Sequence, residues 1–391
     1  MGPHRRSVSL VLCLLAAFTG CKKEAPPAGP ESSDTRPSGS KPSIGLVLGL
    51  GGRGDHAFND SALRGLELWA AGVKYEKAGY QQASAAERQD SLGPDLAARE
   101  LGPLGITPVV LQSRVAEDYE PNLQLLAEQQ VSLAMGVGFM LENAVEQVAR
   151  RNPSLPFLLV DSPLLDAQGR VFTLPNVRTV TFREEEGCFL AGALAGLVTK
   201  TGRVGMVGGM KVPLVQRYEA GFRAGVAATN PKATVLVNYT GSFTDFALGK
   251  QVGQDLLLKK TDVLFAAAGV DGLGAIQAVK EARDAGGAVY VIGVDSDPSH
   301  LAPQAVLSAV LKHVDLVVYE AVRDQLQGRL KGGSLSLGLK EGGMGLAPVR
   351  LEFPGKAEAL RTVDALRARI ISGELKVPTH VAPSEAAGPL P

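Results

Sequence analysis

The chain has 391 residues, with 40 basic and 40 acidic side chains and a formal net charge of +0 at pH 7. That balance argues against the strongly basic surface a nucleic-acid partner would need, so none is expected. Three cysteines and five histidines, scattered along the chain, give no metal-ligand spacing, and neither a metal nor a cofactor is expected.

Residues 1–21, MGPHRRSVSLVLCLLAAFTGC, open on His4, Arg5 and Arg6, run apolar from Val8 to Phe18, and end in small residues before Cys21. This pattern reads as a secretory signal over 1–20, too short to span a membrane. Thr19-Gly20-Cys21 resembles a bacterial lipoprotein cleavage site, with Phe18 standing where leucine is usual. Cys21 would then be the acylated first residue of the mature chain. Residues 21–42, rich in Pro, Ser, Gly and charge, cannot bury enough apolar surface to fold and read as a tether. The expected location is the cell envelope, either periplasmic or at the cell surface, anchored to a bacterial membrane. Cys13 leaves with the signal and Cys21 carries lipid, so Cys188 is left alone. It lies on an apolar helical segment and reads as a small buried hydrophobe. Residues 381–391 read as a disordered tail.

About 350 residues follow the tether, enough for two α/β lobes. From Ser43 onward, short apolar runs alternate with amphipathic ones. The predicted strands are IGLVLGL, TPVVLQS, VSLAMGVG, PFLLVDS, VRTVTF, RVGMVGG, ATVLVNYTG, DVLFAAAG and AVYVIGVD. Between them SALRGLELWAAG, MLENAVEQVARR, YEAGFRAGVAATNP and LGAIQAVKEARDAGG have helical periodicity. Continuously apolar strands, each followed by a helix, indicate parallel sheets covered on both faces. In such sheets the polar residues just past the strand ends line the ligand crevice. One polar segment, about 73–105, breaks this rhythm and reads as an insertion on the first lobe without a convincing strand.

The stretch Gly45–Asp60 contains Gly49, Gly51 and Gly54 in G-x-G-x-x-G spacing. A dinucleotide loop needs its helix to begin at the second glycine, so that amides face the pyrophosphate. Here the helical pattern starts near Asn59-Asp60-Ser61, good capping residues, and Asp55 stands where a diphosphate would be repelled. The dinucleotide reading is therefore disfavoured. Arg53-Gly54-Asp55 as an adhesion tripeptide has no further support.

GG-x-x-D-x-x-F-N-D (51–60), followed by a helix, resembles the basic-membrane-protein/purine nucleoside receptor (PnrA-like) family, the substrate-binding lipoproteins of nucleoside ABC importers. The resemblance continues through DYEPNL (118–123), GVGFMLENAVEQVA (136–149), LLVDSP (158–163) and the long run 180–226. It resumes in NYTGSF (238–243), AAAGVDGLGAIQA (266–278), VIGVDSD (291–297) and VLKHVD (310–315). It implies an α/β, two-lobed periplasmic-binding-protein-like fold of type I, with three interlobe crossings. The expected lobes are 43–161 plus 295–330 and 162–294 plus 331–380.

Carried over by position, the resemblance implies that Phe58 and Phe243 sandwich a purine ring from opposite lobes, which stacking makes physically sound. Asn59 would bond the base edge or hold its loop. Asp295 would accept from ribose hydroxyls and Lys312 would donate to the same sugar. Asp161 and Gly269 sit at equivalent strand ends. The implied partners are a nucleoside and a membrane permease, with the chain acting as a monomer. Two departures stand out: Gly49 replaces an aspartate common in the family, and Gly54-Asp55 replaces a frequent acidic pair.

Simpler roles stand beside these. Phe58 could staple its own helix, and Phe243 could cap the second core. Lys312 could be a solvated charge. Asp297 reads as a turn residue, and Glu184, Glu185 and Glu186 as acids complementing a helix dipole. An enzyme would need an activated nucleophile or a poised acid/base pair. None is visible, and Gly-x-Ser-x-Gly and His-Glu-x-x-His are both absent. A nucleoside-processing enzyme, or a sensor acting through a signalling partner, remains the alternative to a transport receptor.

Overall fold

The computed structural model describes residues 41–77 and 79–381. The expected signal, the acylated Cys21, the tether up to residue 40 and nearly all of the expected tail lie outside the described residues.

The first lobe begins with β1 (Ser43–Leu48) and α1 (Phe58–Leu63), which runs on as a wider π-type helix over Arg64–Ala71. A hairpin, β2 (Val73–Glu76) and β3 (Gly79–Gln82), and α2 (Ala85–Asp90) follow. Then come β4 (Thr107–Gln112), α3 (Tyr119–Glu128), β5 (Leu133–Val137), α4 (Glu142–Arg151) and β6 (Phe157–Val160). A small hairpin of β7 (Leu164–Leu165) and β8 (Val171–Phe172) precedes β9 (Val177–Phe182).

The second lobe contains α5 (Glu184–Val198), β10 (Arg203–Gly208), α6 (Pro213–Thr229), β11 (Thr234–Tyr239) and α7 (Phe246–Leu258). It continues with β12 (Val263–Ala267), α8 (Gly269–Asp284), β13 (Tyr290–Asp295) and β14 (Val306–Lys312). The chain then returns to the first lobe for α9 (Val314–Leu326) and β15 (Gly333–Leu337), and finishes in the second with β16 (Met344–Leu346) and α10 (Lys356–Ile371).

Each lobe is built on one six-stranded sheet, in the orders β15-β9-β6-β5-β1-β4 and β11-β10-β12-β13-β14-β16. Every pairing in the two sheets is parallel except β14 with β16. Alternation along the strands explains why both faces are covered. Ile44, Leu46 and Leu48 share a core with Trp69 of the π-type turn, whereas Val47 packs with Leu123 and Leu126 of α3. In the second sheet Met206 and Phe265 meet Phe222 of α6, while Leu264 and Ala266 meet Ile276 and Val279 of α8. Helices α5 and α6 lie backbone to backbone: a Cβ on Gly192 would stand 2.1 Å from the Phe222 carbonyl oxygen, and one on Gly225 would stand 2.0 Å from that of Phe189.

Three crossings join the lobes, but none is where the sequence places it. Strand β9 pairs with β6 in the first sheet, so the first crossing lies between Phe182 and Glu184, not at 161. Strand β14 pairs with β13 in the second sheet, which moves the second crossing from 294 to between Lys312 and Val314. Strand β15 pairs with β9, which moves the third from 330 to between Leu337 and Met344. The residues of a buried parallel strand are apolar in either sheet, so their pattern does not say which sheet receives them.

The 73–105 segment also differs from expectation, because it contains the β2–β3 hairpin. Only Val73 of its first strand is buried, so no apolar alternation marked it.

Candidate functional site

Parallel sheets place the C-terminal ends of their strands, and the loops that follow, along one edge. Here the edges of both lobes face one another across a cavity. Phe58, Asn59, Asp161, Phe243, Gly269, Asp295 and Lys312, the residues singled out from the sequence, all line it.

The loop after β1 is organised by Asp55. Its carboxylate accepts from the backbone N–H groups of Ala57 (3.0 Å), Asn59 (2.8 Å) and Asp60 (3.0 Å), and from Asn59 Nδ2 (2.9 Å). Asp55 therefore satisfies the first amides of α1, which begins at Phe58, and the capping expected from Asn59-Asp60-Ser61 moves to it. Burial pushes the Asp55 carboxyl up, against the pull of these backbone donors. Asn59 is buried and its Oδ1 accepts from Gly49 N–H at 3.0 Å. Each end of its amide thus holds the loop, with one Nδ2 proton left over. The remaining consequence is the placement of Phe58, half-buried, with its ring edge against Gly138.

From the second lobe comes Phe243, on the loop after β11. Its carbonyl accepts from Val270 N–H at 2.9 Å, and Gly269, at φ +55, leaves room for it: a Cβ there would lie 3.0 Å from that carbonyl oxygen. Phe139, just past β5, stands edge-on to Phe243 with ring centroids 6.2 Å apart at 71°. Phe58 and Phe243 both touch their lobes' cores but stay half-buried and line the cavity.

Four buried charges occupy the floor. Lys312 Nζ donates to Asp161 Oδ1 at 2.7 Å and to Glu184 Oε1 at 3.2 Å. It also faces the rings of Phe182 and Tyr218, each 5.2 Å from the ammonium, and of Phe58 at 5.7 Å, contacts that favour a cation. Glu184 Oε2 accepts from Arg217 Nε at 2.9 Å. Asp161 follows β6 and Asp295 ends β13, both with positive φ, +72 and +65, a conformation that costs a non-glycine residue backbone strain.

Burial dominates the electrostatics. It pushes Asp161 up even with Lys312 beside it, and lifts Asp295 to about 7, with Lys312 opposing and Asp161, Asp55 and Glu184 adding. Burial works against the Lys312 ammonium, yet Asp161, Glu184 and Asp295 together hold its pKa above the ordinary lysine value. Asp295 Oδ1 is buried and has no hydrogen-bond partner. Leaving such a group unpaired costs about 1–3 kcal/mol, so it is the place where a donor from a bound molecule would be most favourable.

Some of the lining was not singled out from sequence. Phe139 follows a predicted strand, so reading every strand end alike would have found it. Tyr218 lies inside α6 and carries no such signal. Glu184 complements a helix N-terminus, as expected, but it is also fully buried between Lys312 and Arg217. Asp297, read as structural, accepts from Ser299 N–H at 3.0 Å and pairs with Arg350. Cys188 is fully buried, as its helix implied, and burial raises its thiol pKa.

The profile of a family described as "ABC transporter substrate-binding protein PnrA-like" (Bmp) matches residues 44–380. The chain belongs to this family. It is a substrate-binding protein of the ABC-transporter class and not an enzyme. A curated relative, the CD4+ T-cell-stimulating antigen of Listeria innocua serovar 6a, is 30% identical over 366 residues, covering 89% of this chain and 92% of the relative. The ABC transporter nucleoside-binding protein BmpA of Lactococcus lactis subsp. cremoris is 27% identical over 95% of this chain and 97% of its own length. Among solved structures, an ABC transporter solute-binding protein from Aeropyrum pernix K1 is similar with a TM-score of 0.70 and 27% identity, covering 88% of this chain and 94% of that one. An arabinose-binding protein, AraP from Geobacillus stearothermophilus, shares the fold at 12% identity and a TM-score of 0.53, covering 84% of this chain and 99% of that one. The two-lobed type I architecture is thus shared with known solute-binding proteins. No helix among the described residues is long and apolar enough to cross a membrane.

Proposed function

We propose that the interlobe cleft captures a nucleoside, with a purine as the base, and that the loaded protein delivers it to an ABC importer. The observation that carries this reading is the unpaired, buried Oδ1 of Asp295 beside the Lys312 ammonium, set between aromatic rings contributed by both lobes. Phe58 and Phe243 supply faces for a flat heterocycle, each stack contributing roughly 1–3 kcal/mol. Asp295 accepts from sugar hydroxyls, and Lys312, with two of its three protons given to Asp161 and Glu184, has one left to donate. The relative named as a nucleoside-binding protein supports the same class.

Around this floor Asp161, Glu184 and Asp295 face Lys312 and Arg217, so a further negative charge is unwelcome and an unphosphorylated ligand is favoured. Asn59 acts chiefly through the loop. Capture proceeds by closure of the lobes about the crossings. A lipid anchor at Cys21 would hold the protein at a bacterial membrane, where the permease is its partner.

Thermal shift and calorimetry with nucleosides, free bases, free sugars and nucleoside 5′-phosphates test the reading. A nucleoside at 100 times its dissociation constant raises folding stability by about 2.7 kcal/mol, and the phosphate binds more weakly. No response to any nucleoside would remove the proposal.

A further inference from the structure

The 73–105 segment is tied down at several points within the first lobe. Trp69 Nε1 donates to Ser91 Oγ at 2.7 Å, and the Tyr80 hydroxyl donates to Glu67 at 2.7 Å. Tyr319 of α9 donates to the Gly102 carbonyl at 2.8 Å. From this base it reaches the junction between the lobes. Asp95 Oδ2 lies 2.6 Å from Nε2 of His313, the residue that links β14 to α9. The same oxygen lies 3.2 Å from where a Cβ on Gly345, in β16 of the second lobe, would stand.

His313 is where several parts of the junction meet. Its backbone N–H donates to the Gly343 carbonyl at 2.9 Å, joining the second crossing to the third. Its Nδ1 lies 3.5 Å from Asp315 Oδ1, and Asp315 in turn holds Arg64 of the first lobe at 2.7 Å. The ring is buried. Burial disfavours its charged form, but the carboxylates of Asp315 and Asp95 lift its pKa to about 9. At neutral pH it is an imidazolium with a carboxylate on each nitrogen. The residue before it, Lys312, carries the ammonium of the candidate site.

We propose that Asp95 is a positioning residue: through His313 the inserted segment straps the second and third crossings to the first lobe, limiting how freely the lobes part and fixing where Lys312 points. The effect on ligand rests on the reading of the cleft given above; the strap itself does not. Among the described residues Asp95 gives the strap's one hydrogen bond to His313, so replacing it releases Nε2 while Asp315 still faces Nδ1 and the anchors at Trp69, Tyr80 and Tyr319 stay in place.

Amide hydrogen exchange on the free protein tests this without any ligand. In Asp95→Ala the amides of His313, Gly343 and Met344 should exchange at least tenfold faster, while those of β10 and β12 keep their protection. Asp95→Glu should restore part of the protection at the crossings. In the unaltered chain the same three amides should lose protection as pH rises through about 9, a step absent from Asp95→Ala. Unchanged crossings in Asp95→Ala, or loosening spread evenly over both lobes, would overturn the strap. Nucleoside dissociation measured on the same proteins should be faster in Asp95→Ala. If the unaltered chain bound no nucleoside, the proposed ligand would be lost while the exchange result still decided the strap.

Discussion

The carboxylate of Asp161, in the first lobe, meets the ammonium of Lys312, in the second, at 2.7 Å, with the two side chains only 7% and 1% exposed. An ion pair so withdrawn from water is held by its partners, and removing one member leaves the other charged and unpaired. Lys312→Met should therefore destabilise the free protein by about 3–5 kcal/mol, measured by urea unfolding. Pairing it with Asp161→Asn should recover part of that loss. A single variant as stable as the parent would mean that water reaches this floor.

Phe243→Ala should weaken nucleoside binding by roughly 5- to 150-fold, since one stacking face is worth roughly 1–3 kcal/mol. The thermal transition of the free protein should change little, because the ring is only half-buried and packs on the edge of Phe139. Calorimetry showing unchanged affinity would remove Phe243 from the ligand.

The raised pKa of Asp295, about 7, predicts how binding responds to pH. Hydroxyl donors from a ligand favour its ionised form, so binding releases a proton, and affinity should rise from pH 6 to pH 8 and then level off. Stability should move the other way. The folded protein holds the Asp295 proton between its ordinary carboxylate range and about 7, so folding stability falls as pH rises through that window. His313, lifted to about 9, contributes stability that is complete below its ordinary value near 6.5 and lost as pH rises through 9. Asp295→Asn should flatten both the affinity profile and the lower part of the stability profile. Titrations of the two proteins by calorimetry and by denaturant check this.

Gly49→Asp should be accommodated. A Cβ there would lie 3.4 Å from the Val137 carbonyl and 3.6 Å from Asn59 Oδ1, tight but without a clash. The family resemblance places an aspartate at this position, where it would reach the polar edge of a purine. The variant should raise the affinity for purine over pyrimidine nucleosides several-fold. An unchanged ratio between inosine and cytidine would show that the base edge does not face Gly49.

The sequence made the site legible because the rule of parallel sheets is local. Apolar runs such as LLV and VIGV name their own strands, and the residue after each, Asp161 or Asp295, falls on the cleft edge whichever way the lobes are connected. Lobe membership is not local in this sense. VRTVTF and VLSAVLK are equally suited to either sheet, and only pairing with Phe157–Val160 or Tyr290–Asp295 decides between them. Glu184 was opaque for another reason: an acid at a helix start has a sufficient role there, and its second role depends on Lys312 and Arg217 arriving from distant parts of the chain. The strands of the 73–105 segment lie on the surface, where burial leaves no pattern to read.

The close seam between α5 and α6 bears on how this cleft could be altered. Gly221 of α6 lies so near the main chain at Glu185 that a methyl group would come within 2.3 Å of its carbonyl oxygen, and α6 carries Leu214 and Tyr218 on the cavity side and Arg217 against Glu184. The spacing between Glu184 and Arg217 is consequently dictated by bare peptide groups in contact. An engineer seeking a new specificity has latitude in the loops that tip the strands, whereas every glycine in that seam is a fixed dimension of the frame.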